Sequence, residues 1–255
     1  MQHSQKQSLS LKKVLPVSLL ALAPALSVLL LCGCESQTET TTPSTKTQGK
    51  STKKPRNLPK SIFDLPDPMV TDEEIARFVD AAPNPSVNFP ERAFEEARPL
   101  ILTQNKPQEG EKILREHLDE AVKAQAGQTK LGQYLVRFAV GLYQQRDEAK
   151  KKEAVKYCLL AQRIFEKQPA EKRPMANWFW NAHYYPADLY TQYKKYRDAE
   201  VEWTRCVNIA TGAPDTVISK KWRKYALTQL LLTVEKQGNN KEKCKIIQKQ
   251  IDDLG

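Results

Sequence analysis

Cys34 closes the tetrapeptide Leu31-Cys32-Gly33-Cys34, directly after an apolar run and directly before the polar Glu35-Ser36-Gln37-Thr38. A thiol at that position could form a thioether, and the residues before it place it where such chemistry is available. Lys6, Lys12 and Lys13 precede Val14 to Leu31, a stretch without charge, and small residues follow. This is the positive, apolar and small-residue plan of a secretory leader, so residues 1–33 are expected to be removed. The rival is a retained membrane-spanning helix, because 18 residues are near the minimum for crossing about 30 Å of hydrocarbon. Pro16 and Pro24 weaken that rival, since a helix interior disfavours proline.

The order Leu, small, Gly, Cys resembles the lipobox of bacterial lipoproteins, with Cys32 where Ala or Ser is usual. The resemblance implies that Cys34 carries a diacylglycerol on its sulfur and becomes the mature N-terminus. Several acyl chains anchor stably where one does not, so the membrane is an expected partner through Cys34. Glu35 is not the aspartate that resembles an inner-membrane retention signal, and the expected location is the outer membrane, facing the periplasm. Ordinary cleavage beside an unmodified Cys34 is the alternative.

Elsewhere the residue types that do chemistry are not set out in reactive patterns. His117 and His183 are the histidines beyond the leader, far apart, with no His-Glu-x-x-His or paired Cys-x-x-Cys spacing. A nucleophile-elbow Gly-x-Ser-x-Gly and a phosphate-cradling glycine loop are also missing from the sequence. The expectation is a non-enzyme without cofactor or metal. Cys158, Cys206 and Cys244 read as small buried hydrophobes. A single inter-repeat disulfide is the other reading, although an odd count cannot pair fully within one chain.

Two stretches could bind a partner. The run Trp178-Phe179-Trp180-Asn181-Ala182-His183-Tyr184-Tyr185-Pro186, continued by Tyr190, Tyr193 and Tyr196, is too dense in rings for one buried stripe. Its rings either fill the core around a break or kink at Pro186 or form a platform for a peptide or sugar. Trp178, Trp180, Tyr184 and Tyr185 are the platform candidates. Lys220, Lys221, Arg223 and Lys224, with Lys241, Lys243, Lys245 and Lys249, make a basic face or a merely solvated one.

Positioning these groups falls to segments of different character. Residues 34–60 are Thr, Ser, Gln, Lys and Pro with little to bury, and read as a disordered tether. The net charge of +10 divides into +3 in the leader, +4 in residues 34–60 and +3 in residues 61–255. Nucleic-acid binding is therefore not expected, and the tether could instead lie on anionic head groups or cell-wall polymer. Within the remainder, residues 61–120 carry −8 and residues 121–255 carry +11.

From residue 61 the apolar spacing is helical. In a capping segment, 61–86, Thr71 and Glu74 form a capping box that opens a short helix to about Ala82, ended by Pro83 and Pro85. Pro90 suits the first turn of a helix carrying Phe94, Ala97, Leu100 and Ile101. Pro107 opens another with Ile113, Leu114 and Leu118 on one face, so the two predict a hairpin. Ala154-x3-Cys158-x2-Ala161, Ala199-x3-Trp203-x2-Cys206 and Cys244-x3-Gln248-x2-Ile251 share one rhythm, and Gly110-x3-Leu114-x2-His117 is a fainter copy. The leading small residues are 44, 45 and 45 apart, which predicts four hairpins whose helices approach closely at those positions.

This pattern resembles the second helix of a tetratricopeptide-type repeat. Ala187, Tyr190 and Tyr196 fall where that family places a small residue and aromatics around Ala199. The spacing exceeds the family's 34 residues, and the proline that follows its second helix is missing from this copy. Over residues 87–255 the resemblance implies an all-α fold, a right-handed superhelical array of about four helical hairpins with a concave binding face. The function expected is an envelope lipoprotein that binds other envelope proteins as a scaffold or assembly factor, of the outer-membrane or pilus and secretion type. Glycan binding or processing through the aromatic stretch, or a link to the cell wall through the tether, are the alternatives.

Overall fold

The computed structural model describes residues 70–238 and 240–255. The leader, Cys34, the tether and the start of the capping segment lie outside the described residues. Among those described the fold is all-α, with no strand.

The capping box forms as its sequence dictates. Glu74 N donates to Thr71 Oγ1 at 3.2 Å and Thr71 N to Glu74 Oε2 at 3.1 Å, opening α1 (Asp72–Ile75). The expected helix to Ala82 does not continue as α-helix, because Ala76–Asp80 widens into a π-helical turn. The wider turn lets adjacent Phe78 and Val79 both enter the core, with Phe78 edge-on to Tyr157.

Four pairs of helices follow. They are α2 (Glu91–Leu102) with α3 (Pro107–Glu116), and α5 (Thr129–Tyr143) with α6 (Glu148–Lys167). Then come α7 (Ala176–Gln192) with α8 (Tyr196–Gly212), and α9 (Lys220–Gln237) with α10 (Lys241–Asp252). Each pair packs within itself, and α3 packs on α5, α6 on α7 and α8 on α9. Between the first two pairs lies α4 (Leu118–Gln125). The expected continuous helix through Leu118 is thus divided, since His117 leaves helical geometry and caps both α3 and α4.

The first three spaced small residues do what the rhythm predicts, while Cys244, expected to be buried, is only half-buried. Gly110, Ala154, Ala199 and Cys244 fall on α3, α6, α8 and α10. A Cβ on Gly110 would stand 2.5 Å from Ile101 Cγ1 of α2, so this contact needs glycine. Ala154 and Ala199 are fully buried. Pro186 corrects another expectation: α7 runs through it without a break to Gln192.

Two principal cores result. The first is built on α5 and α6, and α5 is buried on nearly every side, with Leu131, Tyr134, Leu135, Phe138 and Leu142 inaccessible. The second lies between α7 and α10. A small third cluster joins Val155 of α6 to Leu189 and Tyr193.

Candidate functional site

The crowded aromatic stretch is resolved by helical spacing into two stripes. Trp178, Ala182 and Tyr185, at i, i+4 and i+7, turn to the first core with Phe179, while Trp180, Tyr184 and Ala187 turn to the second. Helix α7 therefore bridges two cores, which is why it carries more rings than one stripe can use. The core reading accounts for Trp178 and Trp180. Trp178 is stacked 6.4 Å from Phe94 of α2, and Trp180 is only 7% exposed.

Tyr184, Tyr185 and two rings not picked out from sequence remain half-buried. Trp222 and Tyr225 of α9 meet the second stripe, with Trp180–Trp222 centroids at 5.4 Å, Tyr184–Trp222 at 6.3 Å and Tyr184–Tyr225 at 6.3 Å. Burial pushes the Tyr184 phenol well above its ordinary value, so it is neutral throughout the physiological range. Trp203 of α8 closes the floor, 5.8 Å from Tyr184 and 5.9 Å from Tyr225. The signal that could have found Trp222 and Tyr225 was their spacing in and just after the lysine run 220–224, where i and i+3 share a face.

Two polar atoms at this cluster are buried without a partner: Trp180 Nε1, a donor, and Asn177 Oδ1, an acceptor one turn earlier on α7. Buried polar groups normally find partners. A group that both donates and accepts would suit the pair.

The expected basic face divides. Lys220 and Lys221 are exposed and Lys224 is half-buried, none with a carboxylate partner. Arg223 is spent on the α8–α9 connection, and this corrects its place in an open basic face. Its Nε donates to Ala210 O at 3.0 Å, and its Nη2 to Ala213 O at 3.4 Å and Asp215 Oδ1 at 3.1 Å. The structure thus brings Trp180, Tyr184 and the 220–224 segment together and turns Trp178 and Tyr185 to the first core, with Tyr185 edge-on to Tyr184 at 5.1 Å. Tyr185 packs 4.9 Å from Tyr143 of α5, whose hydroxyl donates to Asp188 at 2.5 Å.

A second concentration of reactive groups is sealed inside. His183 Nδ1 lies 2.7 Å from Glu202 Oε2, and Gln162 Nε2 donates to the same oxygen at 3.0 Å and to Ala182 O at 2.9 Å. His183 is 1% and Glu202 7% exposed. Cys158 and Cys206 are free and buried, and burial, with the Glu202 charge, raises both thiols far above their ordinary range. Such thiols are not nucleophiles. This cluster can hold α6, α7 and α8 together, but no substrate can reach it. Cys244 is free and half-buried, facing an open groove of about 400 Å³ between α9 and α10 with Leu231, Lys245 and Gln248.

Among the described residues no three His, Cys, Asp or Glu side chains are grouped to hold a metal ion, and no helix is long and apolar enough to cross a membrane. Comparison with known proteins finds no matching family model, no matching curated protein and no matching solved structure.

Proposed function

We propose that the chain is a membrane-anchored envelope lipoprotein whose helical hairpins act as a protein-interaction scaffold or assembly factor. The anchor is the diacylglycerol on Cys34, and the outer membrane, facing the periplasm, is the proposed location. The observation that carries the scaffold reading is the half-buried ring cluster of Tyr184, Trp222 and Tyr225 on the first helices α7 and α9, bordered by unpaired Lys224. Large rings with a polar tip are among the side chains that carry most binding energy at protein interfaces. Serial packing of hairpins supports a tetratricopeptide-like, right-handed superhelical array, which presents such a face without closing it. The described part of the capping segment supports this too, since Phe78 and Glu74 dock on Tyr157 and Lys156 of α6, a second helix, and leave the first-helix side uncovered by residues 70–82.

The test is crosslinking in intact cells making the lipidated chain, compared with Trp222→Ala/Tyr225→Ala and with Lys224→Glu. One dominant envelope protein, lost in both variants while the fold is kept, is the expected result. Capture unchanged by both variants would remove the α7–α9 face from the reading.

Glycan binding stands as a second reading because of Asn177 Oδ1 and Trp180 Nε1, a buried acceptor and donor beside aromatic rings. A sugar hydroxyl both donates and accepts. Cell-wall glycan fragments that shift tryptophan fluorescence, with the shift lost in Asn177→Leu, would favour this reading over the first.

A further inference from the structure

Lys172, Arg173, Met175, Lys220 and Lys221 are all exposed, and none belongs to the cores described above. Met175, 65% exposed, is the most open large hydrophobic side chain among the described residues. The loops that lead into α5, α7 and α9 form one edge. Gln168 Nε2 donates to Gly127 O at 2.7 Å, Thr129 Oγ1 donates to Lys172 O at 2.5 Å, and the Trp180–Trp222 contact joins the start of α7 to the start of α9.

Most carboxylates of this edge are already engaged. Glu91 pairs with Lys130, Asp80 with Lys167, Glu166 with Arg205 and Asp215 with Arg223, while Glu171 has no cation partner. Lys172, Lys220 and Lys221 are left without counter-charge, and Arg173 donates to the Gln168 carbonyl at 3.1 Å. Lys220 and Lys221 also stand in the first turn of α9, which holds no acidic residue. Cations there run against the helix dipole, so these lysines do not serve the stability of α9.

We infer that this edge rests on an anionic lipid surface, with the cationic side chains at the phosphates and Met175 at the head-group boundary. A protruding thioether on the same edge as exposed cations has no use against the phosphates of a nucleic acid, and it is ill suited to an acidic protein groove. It is what a head-group layer accepts, since attraction to anionic lipid and burial of apolar surface add. The inference rests on the anchored-lipoprotein reading, because a lipid on Cys34 holds the edge within reach of a bilayer.

The experiment uses the full mature chain purified from membranes and presented to excess vesicles, either phosphatidylcholine alone or phosphatidylcholine mixed with phosphatidylglycerol. Flotation with the neutral vesicles reads the anchor. Hydrogen exchange of residues 170–176 and 219–224 reads the edge. The expected result is slower exchange of both segments on the anionic vesicles alone, reversed by salt and absent from Met175→Asp/Lys220→Glu/Lys221→Glu, whose exchange in detergent matches the parent. Equal exchange on the two vesicle types would overturn the inference, as would slowing that survives in the variant and so belongs to the basic tether. A chain that fails to float on neutral vesicles counts against the anchor. Excess anionic vesicles still engage the edge of an unanchored chain, so the two failures are separable.

Discussion

The rings of Phe94 and Trp178 lie 6.4 Å apart at an interplanar angle of 28°, although one belongs to α2 and the other to α7. The Arg137 guanidinium of α5 lies beside this pair, 3.7 Å from the Phe94 centroid and 5.4 Å from that of Trp178. The first helices of the first and third hairpins therefore meet over the second. The ring contact joins α2 to α7 at this point, and the cluster of Tyr184, Trp222 and Tyr225 lies apart from it on α7 and α9. Trp178 serves here as the lid on a buried cation.

Arg137 is 6% exposed, and its Nη1 donates to Phe94 O at 2.7 Å and lies 3.5 Å from Glu95 Oε1. Burial lowers its pKa to about 10. Arg137→Ala removes the hydrogen bond to the Phe94 carbonyl and leaves a void beside the rings, and is expected to cost about 2–4 kcal/mol in urea denaturation. Arg137→Met, which fills the same space without charge, is expected to lose much less. Equal losses would show that the charge, not the volume, holds this contact.

The His183–Glu202 pair gives a sharper test of the sealed cluster. Glu202→Leu strands His183 and one bond of Gln162 inside the core, and is expected to cost about 3–5 kcal/mol. Adding His183→Phe removes the stranded group and is expected to recover part of that loss. A double-mutant cycle by denaturation measures the coupling. Additive losses would mean that the 2.7 Å contact does not couple α7 to α8.

What the sequence revealed was local. Thr71 and Glu74 are three residues apart, and the capping box needs nothing further. The rhythm that begins at Gly110, Ala154, Ala199 and Cys244 marks second helices because i, i+4 and i+7 recur on one face within each helix. The two stripes of α7 were not separable from sequence, because the excess of rings has meaning only once α7 is known to lie between two cores. His183 and Glu202 were invisible for a similar reason. They are 19 residues apart, on different helices, in no motif, and only the turn from α7 to α8 opposes them.

Close approach of helices can be tested at glycine. A Cβ on Gly132 would stand 2.3 Å from Phe165 Cε1, and one on Gly110 would meet both Ile101 Cγ1 and the Ala97 carbonyl. Gly132→Ala and Gly110→Ala are each expected to cost about 1–3 kcal/mol, through displaced neighbours. Gly212→Ala, in the last turn of α8 with nothing within 4 Å, is expected to cost nothing. Thermal denaturation of the three variants separates helix propensity from contact, because propensity alone favours alanine at every one of them.

Acid should loosen the contact between α3 and α6. Glu111 accepts from Arg115 of its own helix and from Lys150 of α6 at 3.1 Å, and Arg115 reaches Glu153 of α6 through two bonds of 2.9 and 3.0 Å. Burial opposes the charge on Glu111, but the hydrogen bonds and charges of Arg115 and Lys150 outweigh it and hold the carboxyl below its ordinary value of 4.5. The carboxyls of Glu74, Glu148 and Glu200 are lowered in the same way against burial, by Lys156, Lys151 and Lys243. A carboxyl lowered in the folded state binds fewer protons there than in the unfolded chain, so its contribution is complete above the ordinary value and disappears as pH falls through the lowered one. The urea midpoint is therefore expected to fall as the pH drops below the ordinary carboxylate range. Glu111→Gln should start from a lower midpoint at neutral pH and fall less steeply. A variant whose acid slope equals that of the parent would place the pH dependence at the other carboxylates.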